Sequence, residues 1–387
     1  MKIPIYLDYN ATTPLDRRVA DGMQPFLYDY FGNPSSSHPF GVQARLAIEL
    51  ARHQAARLIN AKENEIIFTG GGTEANNLAI RGYCLKHQER GKHIITTAIE
   101  HPAVLEVCKA LELEGFTLTV LPVDENGLVS AASLQSAMQA DTILVSVMHA
   151  NNEVGTIQPV QELTEIAHKY GAVFHCDAAQ SAGKILVDVE QLNVDMLSLA
   201  GHKFYGPKGV GVLYVRNGVS LEKITQGANH ERNLRPGTEN TLGIAGFGMA
   251  AEIAAEDLLK NQAHFSAMRD HLQNGIIREL GTEKVRVNGH PNMRLPNTLS
   301  ISFLGVQANQ LLAAISDQVA ASAGAACHAD SVTVSSVLEA MHVPLEWAMG
   351  TLRFSTGRST NAEEINFALE VVKVAVDKLN QNSRRLS

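Results

Sequence analysis

The stretch AVFHCDAAQSAGKILVDVEQLNVDMLSLAGHKFYGPKGVGVLYV, Ala172 to Val215, decides how this chain folds. It holds three short β-rich runs, AVFHCDAA, MLSLAG and GVLYV. The first ends at Asp177, and the second leads into Lys203, which is flanked by His202 and the turn glycines Gly201, Gly206 and Gly209. Outward from there, over residues 65–215, the runs EIIFTG, KHIITT, TLTVLPV and TILVSVMHA alternate with helical patterns. That order predicts crossover units and a mostly parallel, seven-stranded α/β sheet covered by helices. In open sheets of this kind ligands sit beyond the carboxyl ends of the strands. Gly72, Thr73, Asn152, Asp177, Gln180 and Lys203 all fall there, which predicts one shared site.

A lysine in a glycine-rich turn is ordinarily a surface lysine. Here it follows an acid at a strand end, and FTGGGTEANN, Phe68 to Asn77, adds an apolar run, three glycines and the start of a helix pattern. Such a turn presents backbone N–H groups and the positive helix end to a phosphate. A glycine turn alone is a weak signal. Together the three features suit pyridoxal 5'-phosphate, which needs a Schiff-base lysine, a carboxylate beside the pyridine nitrogen, and donors around its phosphate.

Length and composition narrow the rest. At 387 residues the chain exceeds what one core usually serves, so two domains are expected. Residues 15–255 are read as the large cofactor-binding domain; residues 1–14 and 256–387 are read as a smaller α/β domain. In the latter, Thr360 and Glu363 form a predicted capping box ahead of Ile365, Ala368, Leu369, Val372 and Val376 at helical spacing. A net charge of −8, with no basic block, argues against nucleic acid as a partner. No apolar run is long enough to span a membrane, and MKIPIYLDYN has no signal-peptide character, so a cytoplasmic location is expected. The four cysteines, Cys84, Cys108, Cys176 and Cys327, are scattered and form no C-x-x-C pair, which fits reduced thiols. The 15 histidines show no zincin spacing, so no catalytic metal is expected.

The motifs YLDYNATTP (Tyr6 to Pro14), FGNPSSSH, FTGGGTEANN, EHPAV, ANNEVGTIQP, HCDAAQSAGK, GHKFYGPKGVG, ERNLRPGTEN, LPNTLSISF, SAGAACH and LRFSTGRST follow one another along the chain. In that order the sequence resembles the cysteine desulfurases of the NifS/IscS group, a class V branch of the fold-type I pyridoxal-phosphate enzymes. The resemblance implies Lys203 as the Schiff-base residue, Asp177 at the pyridine nitrogen, Gln180 at the phenolic oxygen and His101 stacked on the ring. It implies phosphate contacts from Gly72, Thr73, His202 and Thr238, the last reaching a partner subunit's cofactor in a homodimer. Arg353 is the implied holder of the substrate carboxylate, assisted by Asn10 and Asn152. Arg358 is a second candidate, and Arg232 and Arg235 either line the entrance or form surface ion pairs. Cys327, with His328 beside it, is the implied nucleophile that takes sulfur from L-cysteine as a persulfide and passes it to an acceptor or scaffold protein. Its distance from Arg353 matches the long-loop branch.

Two residues depart from the common patterns. Ala200 stands where many relatives have serine, removing a hydroxyl from the phosphate site. Pro102 stands where animal selenocysteine lyases carry an acid, although DYNATTPL, ERNLRPGTEN and GAACHAD resemble those enzymes. Cysteine desulfurase is therefore the first reading and selenocysteine lyase the second. An aminotransferase or β-lyase, for which Cys327 is irrelevant, and a non-catalytic scaffold for sulfur-transfer partners are the alternatives from other classes.

Overall fold

The computed structural model describes the backbone of residues 4–328 and 331–386, and the side chains of these except 325–328, 331–333 and 382–386. The seven β-rich runs form one sheet. Its spatial order is Ile66–Thr69, Gly211–Val215, Met196–Ala200, Val173–Asp177, Thr142–Ser146, His93–Thr97, Thr117–Leu121. Neighbours are parallel except at Gly211–Val215, which is antiparallel to both strands beside it. Consecutive residues point to opposite faces, and both faces are covered. Ile95, Val145, Phe174 and Leu197 enter one core, while Ile94, Leu144, Met196 and Leu213 enter another on the far side. That is why these runs are continuously apolar.

Helices Pro39–Leu58 and Thr241–Glu256 pack closely over the first face. Their approach demands a residue without a side chain, since a Cβ added at Gly248 would sit 2.5 Å from the Cα of Ala51. Helices Gly72–His87 and Pro102–Leu113 cover the other face.

A second, antiparallel sheet has the order Ser322–Ala323, Thr351–Ser355, Thr298–Phe303, Val285–Asn288. Its core joins Ile301, Phe303, Leu352 and Phe354 to helices Leu258–Leu280 and Ala362–Leu386 through Leu272, Ile276, Ile365, Leu369, Val372 and Val376. The N-terminal segment belongs with it: Ile5–Tyr6 pairs with Val319–Ala320, and Leu7 lies in the same core. The last helix is capped one residue later than expected. Asn361 N–H donates to Glu364 Oε2 at 3.1 Å, and Glu364 N–H donates to Asn361 Oδ1 at 3.0 Å. The Thr360 hydroxyl is already engaged, accepting from Gly357 N–H at 3.0 Å, which tightens the preceding turn. No helix among the described residues is long and apolar enough to cross a membrane.

Candidate active site

Lys203 closes the 3-10 turn Gly201–Lys203, directly after the strand Met196–Ala200. Its Nζ donates to the backbone carbonyls of Asn10 at 2.7 Å and Ala11 at 2.8 Å. Burial, helped by the nearby Arg353 guanidinium, lowers the amine to about 8. A substantial neutral fraction at ordinary pH is what a carbonyl-capturing lysine requires. Asp177 ends its strand and is buried. Its Oδ2 accepts from Asn76 Nδ2 at 2.7 Å and its Oδ1 from Ala179 N–H at 2.9 Å. A buried carboxylate held by neutral donors leaves a demand for positive charge.

Opposite stands the start of helix Gly72–His87, reached through Gly71 at φ 148°. The N–H groups of its first residues lack intrahelical acceptors by construction. Gly72, Thr73, Asp177 and Lys203 line a cavity of about 220 Å³ together with Asn76, His101, Asn152, Gln180, Ala200 and His202. The Ala200 methyl faces Gly72, where an added Cβ would lie 3.3 Å away, so this wall lacks the hydroxyl a serine would bring.

His101 caps helix Pro102–Leu113, its Nδ1 accepting from Ala103 N–H at 3.1 Å. Burial lowers its pKa, and in the neutral ring the proton is carried by Nε2. His202 is pushed down to about 4, first by burial and then by Lys203, so it meets the cavity as a neutral ring; Thr12 Oγ1 lies 3.1 Å from its Nδ1.

Arg353 is tied down on the second sheet. Its Nη2 donates to Asp8 Oδ1 at 2.7 Å and Ser322 Oγ at 3.0 Å, and its Nη1 to the Asn152 carbonyl at 3.1 Å. Asn10 is buried, and its amide is engaged by Asn152, Thr298, Asn297 and Lys184. It is therefore the main-chain carbonyl of Asn10, rather than its side chain, that faces Lys203. Arg358 is a structural residue, pairing with Asp16 at 3.0 Å and stacking 4.2 Å from the Tyr205 ring centroid. Arg235 pairs with Glu74 at 3.0 Å, and Arg232 donates to the Glu63 carbonyl at 3.0 Å. Thr238 is exposed in the loop before helix Thr241–Glu256, apart from the cavity lining.

Cys327 lies on the strand Ala325–His328, opposite Val332 of Ser331–Val334. Its side chain and that of His328 lie outside the described residues. At the foot of this ribbon, Ser335 Oγ donates to the half-buried Glu153 at 2.5 Å, next to Asn152. Cys84, Cys108 and Cys176 are buried thiols, and burial drives their pKa values up, Cys108 to about 12. Asn76, Asp8, Glu153 and Lys184 were not anticipated from sequence. For Lys184 the signal was its place four residues after Gln180 in QSAGK.

Residues 5–367 match the family model described as aminotransferase class-V. The chain belongs to that family. Among aminotransferase class-V relatives, it is 47% identical over 380 residues to a cysteine desulfurase IscS of Dictyoglomus turgidum, spanning 98% of this chain and 96% of the other. It is 44% identical to a protein of the same name from Methanosarcina thermophila, spanning 98% and 93%. A solved NifS-like protein superposes with a TM-score of 0.91 at 37% identity, covering 97% of this chain and all of that one. A structure titled SspA in complex with cysteine superposes at 0.79 with 36% identity, over 91% and 99%. The residues present fit the pyridoxal phosphate of class-V enzymes: a lysine of lowered pKa, a buried carboxylate whose hydrogen bonds come from neutral donors, and open N–H groups at a helix start surround one cavity.

Proposed function

We propose that this chain is a pyridoxal-phosphate-dependent cysteine desulfurase that converts L-cysteine to L-alanine and moves the sulfur onto Cys327. The observation that carries the reading is the convergence of Lys203, Asp177 and the Gly72–Thr73 helix start on one cavity, in a chain close to half identical to cysteine desulfurases along its length. When bound, the cofactor acts as an electron sink for the substrate Cα.

The chain's own residues do the rest. Lys203 would hold the cofactor through its Nζ, and its neutral amine is the base that would take the Cα proton. Asp177 would keep the pyridine nitrogen protonated, Gln180 would donate to the phenolic oxygen, and His101 would lie against the ring. Gly72, Thr73 and His202 would hold the phosphate, with Thr238 contributed by a partner copy in a homodimer. Arg353 offers its fork to the substrate carboxylate, with Asn152 and Asn10 behind it. The Cys327 thiolate would attack the substrate sulfur; an S–S bond forms, the C–S bond breaks with its electron pair left on the substrate carbon, and protons delivered at Cβ and Cα by His101 or Lys203 complete alanine. The persulfide then passes to an acceptor protein serving iron–sulfur or thiolation chemistry. The other three cysteines are poor candidates for the nucleophile because burial keeps their thiols protonated. We take residues 15–255 as the cofactor domain, 1–14 with 256–387 as the domain carrying the cysteine, and the cytoplasm as the location.

Alanine and sulfide or selenide release from L-cysteine and L-selenocysteine, wild type against Cys327→Ala, tests this. Loss of cysteine turnover in the variant, with the 400-nm cofactor band retained, is expected. Turnover indifferent to Cys327 points instead to a lyase or transaminase, and turnover confined to selenocysteine to a selenocysteine lyase.

A further inference from the structure

Lys184 is 4% exposed, and no function described so far uses it. Its Nζ donates to Gln180 Oε1 at 2.7 Å and to Asn10 Oδ1 at 3.1 Å. Both acceptors are amide oxygens, so the site spends a buried amine on orienting two neutral groups. Burial, with Lys203 and Arg353 adding repulsion, holds Lys184 well below the ordinary lysine range. Such a residue is costly in an interior unless its hydrogen bonds matter.

What those bonds decide is the sense of the Gln180 amide. At one end Gln180 Nε2 donates to the main-chain carbonyl of Asn10 at 3.0 Å, an oxygen that also accepts from Lys203 Nζ at 2.7 Å. At the other end an amine donates to Oε1. A carbonyl acceptor and an amine donor thus clamp the amide from its two ends, and they leave a second N–H on Gln180, which lines the cavity together with Lys203. Asn10 is held the same way, with the Asn152 carbonyl on its nitrogen at 3.1 Å and Lys184 on its oxygen.

We propose that Lys184 is a positioning residue of the active site, which fixes Gln180 as a hydrogen-bond donor toward the phenolic oxygen of the cofactor joined to Lys203. The inference rests on the cofactor roles given above to Lys203 and Gln180. A donor at the phenolic oxygen spreads its negative charge and weakens its hold on the neighbouring protonated nitrogen. Loss of the donor therefore raises the pH at which that nitrogen gives up its proton.

The test is a pH titration of the cofactor absorbance in purified holoenzyme: wild type, Lys184→Met, Gln180→Ala and the double variant. Lys184→Met is expected to move the midpoint up by about one pH unit, the size of a lost hydrogen bond to a charged group. In the Gln180→Ala background the same change is expected to move it by less than about a third as much, because the effect travels through Gln180. A shift of equal size in both backgrounds means that Lys184 acts only through its charge, and no shift in either means it is a packing residue; each overturns the proposal. Lys184→Gln, which keeps an N–H donor group, is expected to restore at least about half of the shift, and Lys184→Ala replaces the methionine variant if that one does not fold. A wild-type protein without a titrating cofactor band would instead defeat the underlying cofactor assignment.

Discussion

The two walls of the cavity are polar in different ways. On the wall built by the large sheet, capacity is left open: Asp177 is held by neutral donors, the first N–H groups of helix Gly72–His87 lack acceptors, and Lys203 rests on two carbonyls. On the wall built by the N-terminal segment and the second sheet, polar groups already have each other. Arg353 is shared by Asp8, Ser322 and Asn152, and the Asn10 amide has four partners. The first wall is shaped for a group that stays; the second must trade a bond each time a carboxylate arrives. Changes to the first should appear in kcat and cofactor content, and changes to the second in KM.

The largest effect is expected at Asp177. Asp177→Asn keeps the shape but removes the charge, and kcat should fall by about 10²–10³-fold. A variant with wild-type kcat would break the distinction between the walls at once. On the other wall, Arg353→Lys loses the planar fork, and KM for L-cysteine should rise about tenfold while kcat changes less than about threefold. If kcat took most of the loss, Arg353 would belong with the first wall.

Smaller effects sharpen the contrast. Lys203 is lowered to about 8, so uptake of pyridoxal phosphate by the apoprotein should speed up as the pH rises through 8 and level off above, since only the neutral amine attacks. Stopped-flow absorbance at pH 7 and 9 checks this; equal rates would contradict it. Behind the first wall, Glu100 accepts from Thr97 Oγ1 and Met148 N–H, each at 2.8 Å, and burial pushes its carboxyl up to about 8. Because its folded pKa lies above the unfolded one, its contribution is fully present below pH 4.5 and fades as the pH rises toward 8. Glu100→Gln cannot ionise, so its Tm should drop less than that of wild type between pH 5 and 7.5, by about 3 °C or more. Parallel Tm curves would show that Glu100 is better hydrated than its burial implies.

The large sheet was legible because both its faces are covered, which turns each strand into an unbroken apolar run. Asp177 and Lys203 were legible because they sit where such runs stop. The second wall was harder to read, since its contacts join residues far apart in sequence: nothing near Arg353 announces Asp8 as its partner. Lys184 escaped for a related reason. A lysine in a turn is normally solvated, and only the fold reveals that this turn is roofed by the N-terminal segment. The cap of the last helix slipped by one residue because the Thr360 hydroxyl had a nearer donor in Gly357.

The roofing segment has a consequence for how the molecule is made. Tyr6, Asp8 and Asn10 are made before any strand of the large sheet, yet Asn10 N–H meets the Ser355 hydroxyl across 345 positions of chain. Lys203 finds its carbonyl acceptors in place only once this segment is pinned by strands that follow it by more than 300 residues. Nascent chains halted before residue 319 hold the whole large sheet but not the strand that anchors the roof, so the ability to capture the cofactor is acquired well after the sheet that bears Lys203 has been made.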